Sequence, residues 1–355
     1  MGVMSLQAML ARWQSQAEIS ENILEWRLLE ARPPETLPLP EDLHPALFAS
    51  LEAQGIHSLY THQRQAWEAV QAGRHIVLAT GTASGKTLAY NLPVLDELLR
   101  DPAACALYIF PTKALAQDQL QIVQNLLLPS PSPTRGREAG VRENLLPAIY
   151  DGDTPANHRQ AVRAEARLVF TNPDMLHTGI LPHHTGWMRF LSSLKYVVID
   201  EMHTYRGVFG SHVANVLRRL RRAAGFYGAR PLFILTSATI ANPLELAGLL
   251  VEAPVHLIDQ DGSGRGQKHF LIYNPPILDE QLGIRRGLIP ESTRLAEDLI
   301  TYDVQSILFS RTRRSVEIIL AYLQGLAWSC TGLITSNPLF TDTCLSRWPF
   351  WPGSA

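Results

Sequence analysis

From about residue 58 onward, short apolar runs alternate with amphipathic stretches, and this rhythm restricts the chain more than any other feature. Arg74–Thr80, Ala104–Phe110, Pro147–Tyr150, Arg167–Thr171, Leu194–Ile199, Pro231–Leu235 and Val255–Ile258 read as strands. Thr87–Arg100, Ala114–Leu127, Pro155–Glu165, Val208–Ala224 and Pro243–Val251 read as the helices between them. The strands are apolar throughout rather than on alternate residues, which is the pattern of strands covered on both faces. An α/β fold follows, with a parallel sheet enclosed by helices.

Two of these strands end in chemistry. The first runs into Thr80-Gly81-Thr82-Ala83-Ser84-Gly85-Lys86-Thr87, which opens a helix. Strand, glycine-containing loop and helix start form the context in which backbone N–H groups cradle phosphates. Gly81 and Gly85 allow the loop to curl, Lys86 suits the β- and γ-phosphates, and the Thr87 hydroxyl suits Mg²⁺. The strict phosphate-loop pattern has glycine where this chain has Thr80. The second strand delivers Asp200-Glu201-Met202-His203 at its C-terminal end, where open α/β sheets place their ligands. Asp200 suits a metal-holding role, and Glu201 that of a general base polarising water. Together these features point to an Mg²⁺-dependent nucleoside triphosphatase. Asp200 as a helix N-cap is the alternative, but it leaves Glu201 and His203 without a role. A third strand end carries Thr236-Ser237-Ala238-Thr239. Its small hydroxyl residues suit coupling to the acidic loop, with His203 as the other partner.

A formal net charge of −2 excludes a generic polyanion-binding surface, although a local basic groove is sufficient for nucleic acid. Arg218, Arg219, Arg221 and Arg222 cluster in the last turns of a helix, where cations suit the dipole. The 3 cysteines show neither a disulfide framework nor zinc spacing. No apolar run approaches the ~20 residues of a membrane span, and the first residues lack the layout of a signal peptide. A cytoplasmic location is expected.

Four further segments bear on organisation. Residues 1–57, interrupted by Pro33, Pro34, Pro38 and Pro40, read as a helical lead-in, and 58–260 as the first domain. Residues 129–137 are Pro- and turn-rich and read as an exposed insertion. Asp259–Gln267, polar and Gly-rich, reads as the domain boundary. Beyond it, 268–325 reads as part of a second α/β domain, with strands at His269–Tyr273 and Val304–Ser310 and a helix at Thr312–Leu323. Residues 326–355 form an atypical tail, nearly free of charge.

The ordered set of motifs resembles superfamily 2 helicases of the DEAD/DEAH-box type. Asp200–His203 stands for their motif II and Ser237-Ala238-Thr239 for motif III. Pro111-Thr112-Lys113-Ala114-Leu115-Ala116-Gln117 resembles motif Ia, and Thr171-Asn172-Pro173-Asp174-Met175-Leu176 motif Ib. The resemblance implies a RecA-like P-loop domain followed by an incomplete second one. It also implies that Pro111, Thr112, Lys113, Thr171, Asn172, Pro173 and Asp174 grip a nucleic-acid backbone without reading sequence. Leu59-Tyr60-Thr61-His62-Gln63 resembles the adenine-reading Q motif, which makes Gln63 a cofactor residue beside Thr80–Thr87 and Asp200.

The finer match is to the bacterial YprA-like branch of repair helicases. It rests on Leu59–Gln63, the ATGTASGKT stretch, Tyr90-Asn91-Leu92-Pro93, Gly179–His184 and Tyr205-Arg206-Gly207-Val208-Phe209-Gly210-Ser211-His212. Weaker support comes from Tyr273-Asn274-Pro275-Pro276 and Gly283-Ile284-Arg285-Arg286. This resemblance implies ATP and Mg²⁺ as cofactors and DNA, as a single strand or duplex junction, as partner. It also implies Lys86, Asp200, Glu201 and His203 as catalytic residues, and a role in DNA repair. His177, His183 and His184 fall within the resembling stretch and read as loop residues rather than a zinc site.

Ile307-Leu308-Phe309-Ser310-Arg311-Thr312-Arg313 resembles motif IV, but no arginine-rich motif VI follows. The chain therefore reads as C-terminally truncated relative to the family. Two functions follow: an ATP-dependent DNA helicase, or a non-catalytic ATP- and nucleic-acid-binding fragment. An RNA-acting protein is the weaker reading, because the Tyr205–His212 stretch matches the DNA-repair branch.

Overall fold

The computed structural model of the chain describes residues 6–127, 145–238 and 240–326. The insertion expected at 129–137 and the tail beyond 326 lie outside the described residues. In chain order the strands are β1 (Ile23–Leu29), β2 (Thr36–Pro38), β3 (Ser58–Tyr60), β4 (Ile76–Leu78), β5 (Cys105–Ile109), β6 (Pro147–Ile149), β7 (Leu168–Thr171), β8 (Leu194–Ile199), β9 (Leu232–Thr236), β10 (His256–Ile258), β11 (Lys268–Tyr273), β12 (Ile277–Asp279) and β13 (Ile284–Arg285). They belong to two compact units, one formed by 31–266 and the other by 1–30 together with the chain from 267 onward.

In the larger unit seven strands form one sheet in the order β10-β4-β9-β8-β5-β7-β6. Every pairing in it is parallel. Successive side chains point to opposite faces, so each apolar run feeds two cores. Ile76, Leu78, Tyr108, Phe170, Val198 and Ile234 pack under the helices Thr61–Gln71, Lys86–Arg100 and Lys113–Leu126. Val77, Leu107, Val169, Val197, Phe233 and Leu235 pack against Gly207–Phe226 and Pro243–Val251 on the other face. This explains why the strands lack polar alternation. The sheet ends in three-residue strands, β10 at one edge and β6 at the other.

Parallel pairing brings every strand's C-terminal end to the same edge of the sheet. The loops after β4, β5, β7, β8 and β9 all emerge there, and β9 alone separates β4 from β8. A polar seam fixes the helix that follows the β4 loop. Tyr108 on β5 donates to Asn91 Oδ1 at 2.8 Å, and Tyr90 donates to Gln119 at 2.8 Å. Burial pushes the phenol pKa of both tyrosines well up.

In the smaller unit β1 pairs with β11 antiparallel, with a register shift between Ile23 and Glu25. Met9, Leu10, Trp13 and Ile19 form its core with Trp26, Leu271 and Leu299. The indole of Trp13 donates to Asp298 at 2.9 Å. Two departures from expectation fall around this unit. Residues 1–57 are not simply helical: Leu6–Ser15 and Pro45–Ala53 are helices, but Ile23–Leu29 and Thr36–Pro38 are strands. Long-range partners, β11 and β3, set the conformation of those two segments. The strand expected at Val304–Ser310 is not formed. Ile307 and Phe309 are 78% and 92% exposed, and an apolar run without a neighbouring ladder does not hold as a strand.

Candidate functional site

The loop after β4 closes on itself around Lys86. The Lys86 ammonium donates to the carbonyls of Thr80 at 3.0 Å and Gly81 at 2.8 Å. The Thr80 and Ser84 hydroxyls share a hydrogen bond of 2.7 Å in the interior. Gly85 caps the following helix with φ 79°, a conformation that suits glycine. Ala83 holds φ 60° without that freedom, which costs about 1–2 kcal/mol. Thr82 and Ala83 are exposed, while Thr80 and Ser84 are buried. A loop shaped in this way presents backbone N–H groups at a helix start.

Asp200 ends β8 at 8% exposure. The Thr236 hydroxyl donates to its Oδ1, and the Glu201 N–H reaches the same oxygen at 3.0 Å. Burial raises the Asp200 pKa; the Thr236 hydrogen bond opposes that shift and the neighbouring Glu201 charge adds to it. Glu201 itself sits in left-handed backbone, φ 51°. The oxygen-only pair of Thr87 hydroxyl and Asp200 carboxylate suits a hard cation such as Mg²⁺. A buried carboxylate whose charged form is disfavoured is also one that a cation would stabilise.

His203 joins the acidic loop to the turn after β9. Its Nδ1 lies 3.1 Å from Glu201 Oε2 and 3.3 Å from the N–H of Ala238. One nitrogen cannot donate to the carboxylate and accept from the amide at once, so the imidazole has two alternative bonding states. Ser237 is buried, its N–H donates to the Leu78 carbonyl, and its hydroxyl has no partner among the described residues. Thr239 lies outside the described residues. Thr236, which holds Asp200, was read only as the start of the turn.

The residues expected to grip nucleic acid occupy two helix starts on the same edge. Thr112 caps the helix Lys113–Leu126, accepting from Leu115 N–H at 3.4 Å, and Pro111 precedes it. The exposed Lys113 pairs with Asp153, which raises the lysine pKa. Asn172 accepts from Met175 N–H at 2.8 Å, Pro173 follows at the first helical position, and Asp174 is exposed. Thr171 is turned inward, its hydroxyl donating to the Tyr150 carbonyl at 2.7 Å.

Gln63 is tied down at both ends of its amide. Its Oε1 accepts from Tyr60 N–H at 2.9 Å, and its Nε2 donates to the Gly85 carbonyl at 3.0 Å. It therefore braces the phosphate loop directly. The arginine cluster is heterogeneous. Arg218 pairs with Glu252, Arg221 donates to the Val251 carbonyl, and Arg219 meets His177 at 2.6 Å. His184 shares a 2.7 Å hydrogen bond with Tyr227. Among the described residues no group of three or more His, Cys, Asp or Glu side chains is arranged to hold a metal ion, and no helix is long and apolar enough to cross a membrane.

Comparison with known proteins agrees with this geometry. The DEAD/DEAH box helicase family matches residues 60–246. The chain is 50% identical over 307 residues to a Bacillus subtilis protein named uncharacterized ATP-dependent helicase YprA, covering 86% of the chain and 40% of that protein. It is 40% identical over 288 residues to ATP-dependent helicase HRQ1 of Saccharomyces cerevisiae, covering 80% of the chain and 26% of the relative. A crystal structure of the DUF1998 helicase MrfA bound to DNA superposes with a TM-score of 0.84 at 47% identity, over 92% of the chain and 41% of that structure. The chain thus spans well under half the length of these relatives.

Proposed function

Since the chain belongs to the DEAD/DEAH box helicase family, we propose that it is the ATP-binding part of a DNA helicase or translocase that acts in DNA repair. One observation carries this reading: strands separated only by β9 bring the phosphate loop and Asp200–Glu201 to the same sheet edge. The names of the relatives support it, as does the MrfA structure bound to DNA.

In this reading the N–H groups of Thr82–Thr87 and the Lys86 ammonium hold the phosphates of ATP. Lys86 must leave the carbonyls of Thr80 and Gly81 to do so. Mg²⁺, held by Thr87 and Asp200, would supply charge neutralisation at the phosphates. Glu201 takes the proton of the attacking water. His203 exchanges between Glu201 and the Ala238 N–H, and so reports the state of the acidic loop to the turn after β9. Lys113, the Thr112 helix start and the Asn172 helix start contact the DNA backbone without reading its sequence. Gln63 acts through Gly85 and the base.

The second reading is a nucleotide- and DNA-binding fragment without turnover, which needs only the phosphate loop and the two exposed helix starts. DNA-stimulated ATP hydrolysis by this chain, beside Lys86→Ala, separates the two. Stimulated turnover abolished by the substitution establishes the enzyme. ATP binding without stimulated turnover leaves the fragment.

A further inference from the structure

After β10 the chain turns back on the phosphate loop through residues that no motif above includes. Asp261 Oδ1 accepts from the N–H and hydroxyl of Ser263, at 2.9 and 2.6 Å. A Cβ placed on Gly81 would meet Asp261 Oδ2 at 3.1 Å, so the carboxylate lies against this residue of the loop. The turn also packs on the Leu59–Gln63 segment. Gly262 N–H donates to His62 Nδ1 at 3.2 Å. A Cβ on Gly262 would come within 2.1 Å of Thr61 Oγ1, so the close approach requires glycine. His62 is fully buried, stacks on Tyr60, lies 3.9 Å from Asp261 Oδ1 and stands beside the Ser84 backbone.

Burial alone would raise the Asp261 pKa. The two hydrogen bonds from Ser263 hold it below the ordinary value, so the group is anionic at neutral pH. The carboxylate lies against Gly81, at the entry limb of the loop. A side chain in that place can order the loop from its entry side.

We propose that Asp261 is a positioning residue for the nucleotide. Braced by Ser263 and by His62 through Gly262, its carboxylate fixes the phosphate loop at Gly81 and thereby sets affinity for the phosphate chain of a nucleoside di- or triphosphate. The inference rests on the ATP-binding reading above. Nothing in the local spacing of the Gly-rich segment announces this role, because Asp261 reaches Gly81 only through folding.

The test is calorimetric titration of the chain with ATP, ADP and adenosine, using wild type, Lys86→Ala, Asp261→Ala and Asp261→Asn. Asp261→Ala weakens ATP and ADP about tenfold, the scale of one lost charge-assisted hydrogen bond, and leaves adenosine unchanged. Asp261→Asn, whose amide oxygen can take the same place against Gly81, recovers most of the loss. Amide exchange at residues 81–85 without nucleotide is faster in Asp261→Ala than in wild type. Unchanged ATP affinity together with unchanged exchange overturns the proposal. So does an equal loss for adenosine and ATP, which would mark a base contact instead. If wild type does not bind ATP, or Lys86→Ala binds as well, the ATP reading fails, and the exchange data alone decide whether Asp261 anchors the loop.

Discussion

Asp200 carries a structural cost that its neighbours only partly relieve. Its burial favours the protonated form, and the hydroxyl of Thr236 works against that tendency. A carboxyl whose folded pKa is raised stabilises the fold below its unfolded pKa, and that stabilisation is lost as pH rises through the folded value. At neutral pH without a cation, ionised Asp200 is therefore a burden. Asp200→Asn keeps the oxygen that accepts from Thr236 and Glu201 while removing the charge. It should raise the melting temperature of the metal-free chain at pH 7 by about 2–4 °C, the shift expected per kcal/mol in a domain of this size. The gain should shrink as pH is lowered through the Asp200 titration, and Mg²⁺-dependent ATP binding should be lost. A variant that melts lower than wild type at pH 7 would refute the assignment of strain to the charge. At this scale the sequence was legible where spacing is local: Lys86, Thr87 and the Asp200–Glu201 pair are each recognisable within a few residues. Thr236, His62 and Asp261 were not, because each becomes meaningful only through a contact with a distant residue.

The helix Lys113–Leu126 begins with a cation already engaged. Lys113 and Asp153 are both exposed and paired, so on the proposed reading a DNA phosphate would have to compete with a carboxylate for the ammonium. Asp153→Asn should strengthen single-stranded DNA binding by about two- to fivefold at low salt, of the order of a surface ion pair. Lys113→Ala should weaken it and reduce the salt slope by roughly 0.7, the share of one phosphate on a single strand. Anisotropy titrations over a salt series read both effects. If neither substitution alters binding, Lys113 is not on the DNA path. The elements of the larger unit were readable because a strand buried on both faces must be apolar along its length, as Ala106–Phe110 and Val197–Ile199 are. Ile23–Leu29 was not, since its antiparallel partner, β11, follows some 240 residues later and its own pattern carries no clear period. Val304–Ser310 misled in the opposite sense: its composition suits a strand, but pairing decides.

The whole molecule divides its chemistry between two units, and each buries carboxylates that respond to acid. In the smaller one Glu291, 2% exposed, accepts from Tyr273 at 2.6 Å and from Arg286 at 3.0 Å, and pairs with Arg294. Burial would raise its pKa, yet these partners lower it. A depressed carboxylate stabilises the fold above its unfolded pKa, about 4.3, and that contribution is lost as pH falls through the folded value. Acid should therefore loosen residues 1–30 and 267–326 as Glu291 takes up its proton. In the larger unit Asp101 and Asp261 act with the same sign and Asp200 with the opposite one. Glu291→Gln should destabilise the smaller unit by roughly 1–3 kcal/mol at neutral pH and flatten its response to acid. Hydrogen exchange in peptides of the smaller unit over a pH series, wild type beside Glu291→Gln, reads this; an acid response unchanged by the substitution would contradict it.

The seven-stranded sheet also has short borders. Its central strands β5 and β8 run for five and six residues, but β10 and β6 stop after three, and β6 begins with Pro147. A free strand edge is a template on which another chain can add a strand, and natural proteins blunt such edges by brevity and by proline. A sheet with seven apolar strands would otherwise be prone to edge-to-edge growth into fibrous aggregates. Its taper leaves little ladder at either border for a foreign strand to grip, which lowers the tendency of the sheet to add strands along its sides.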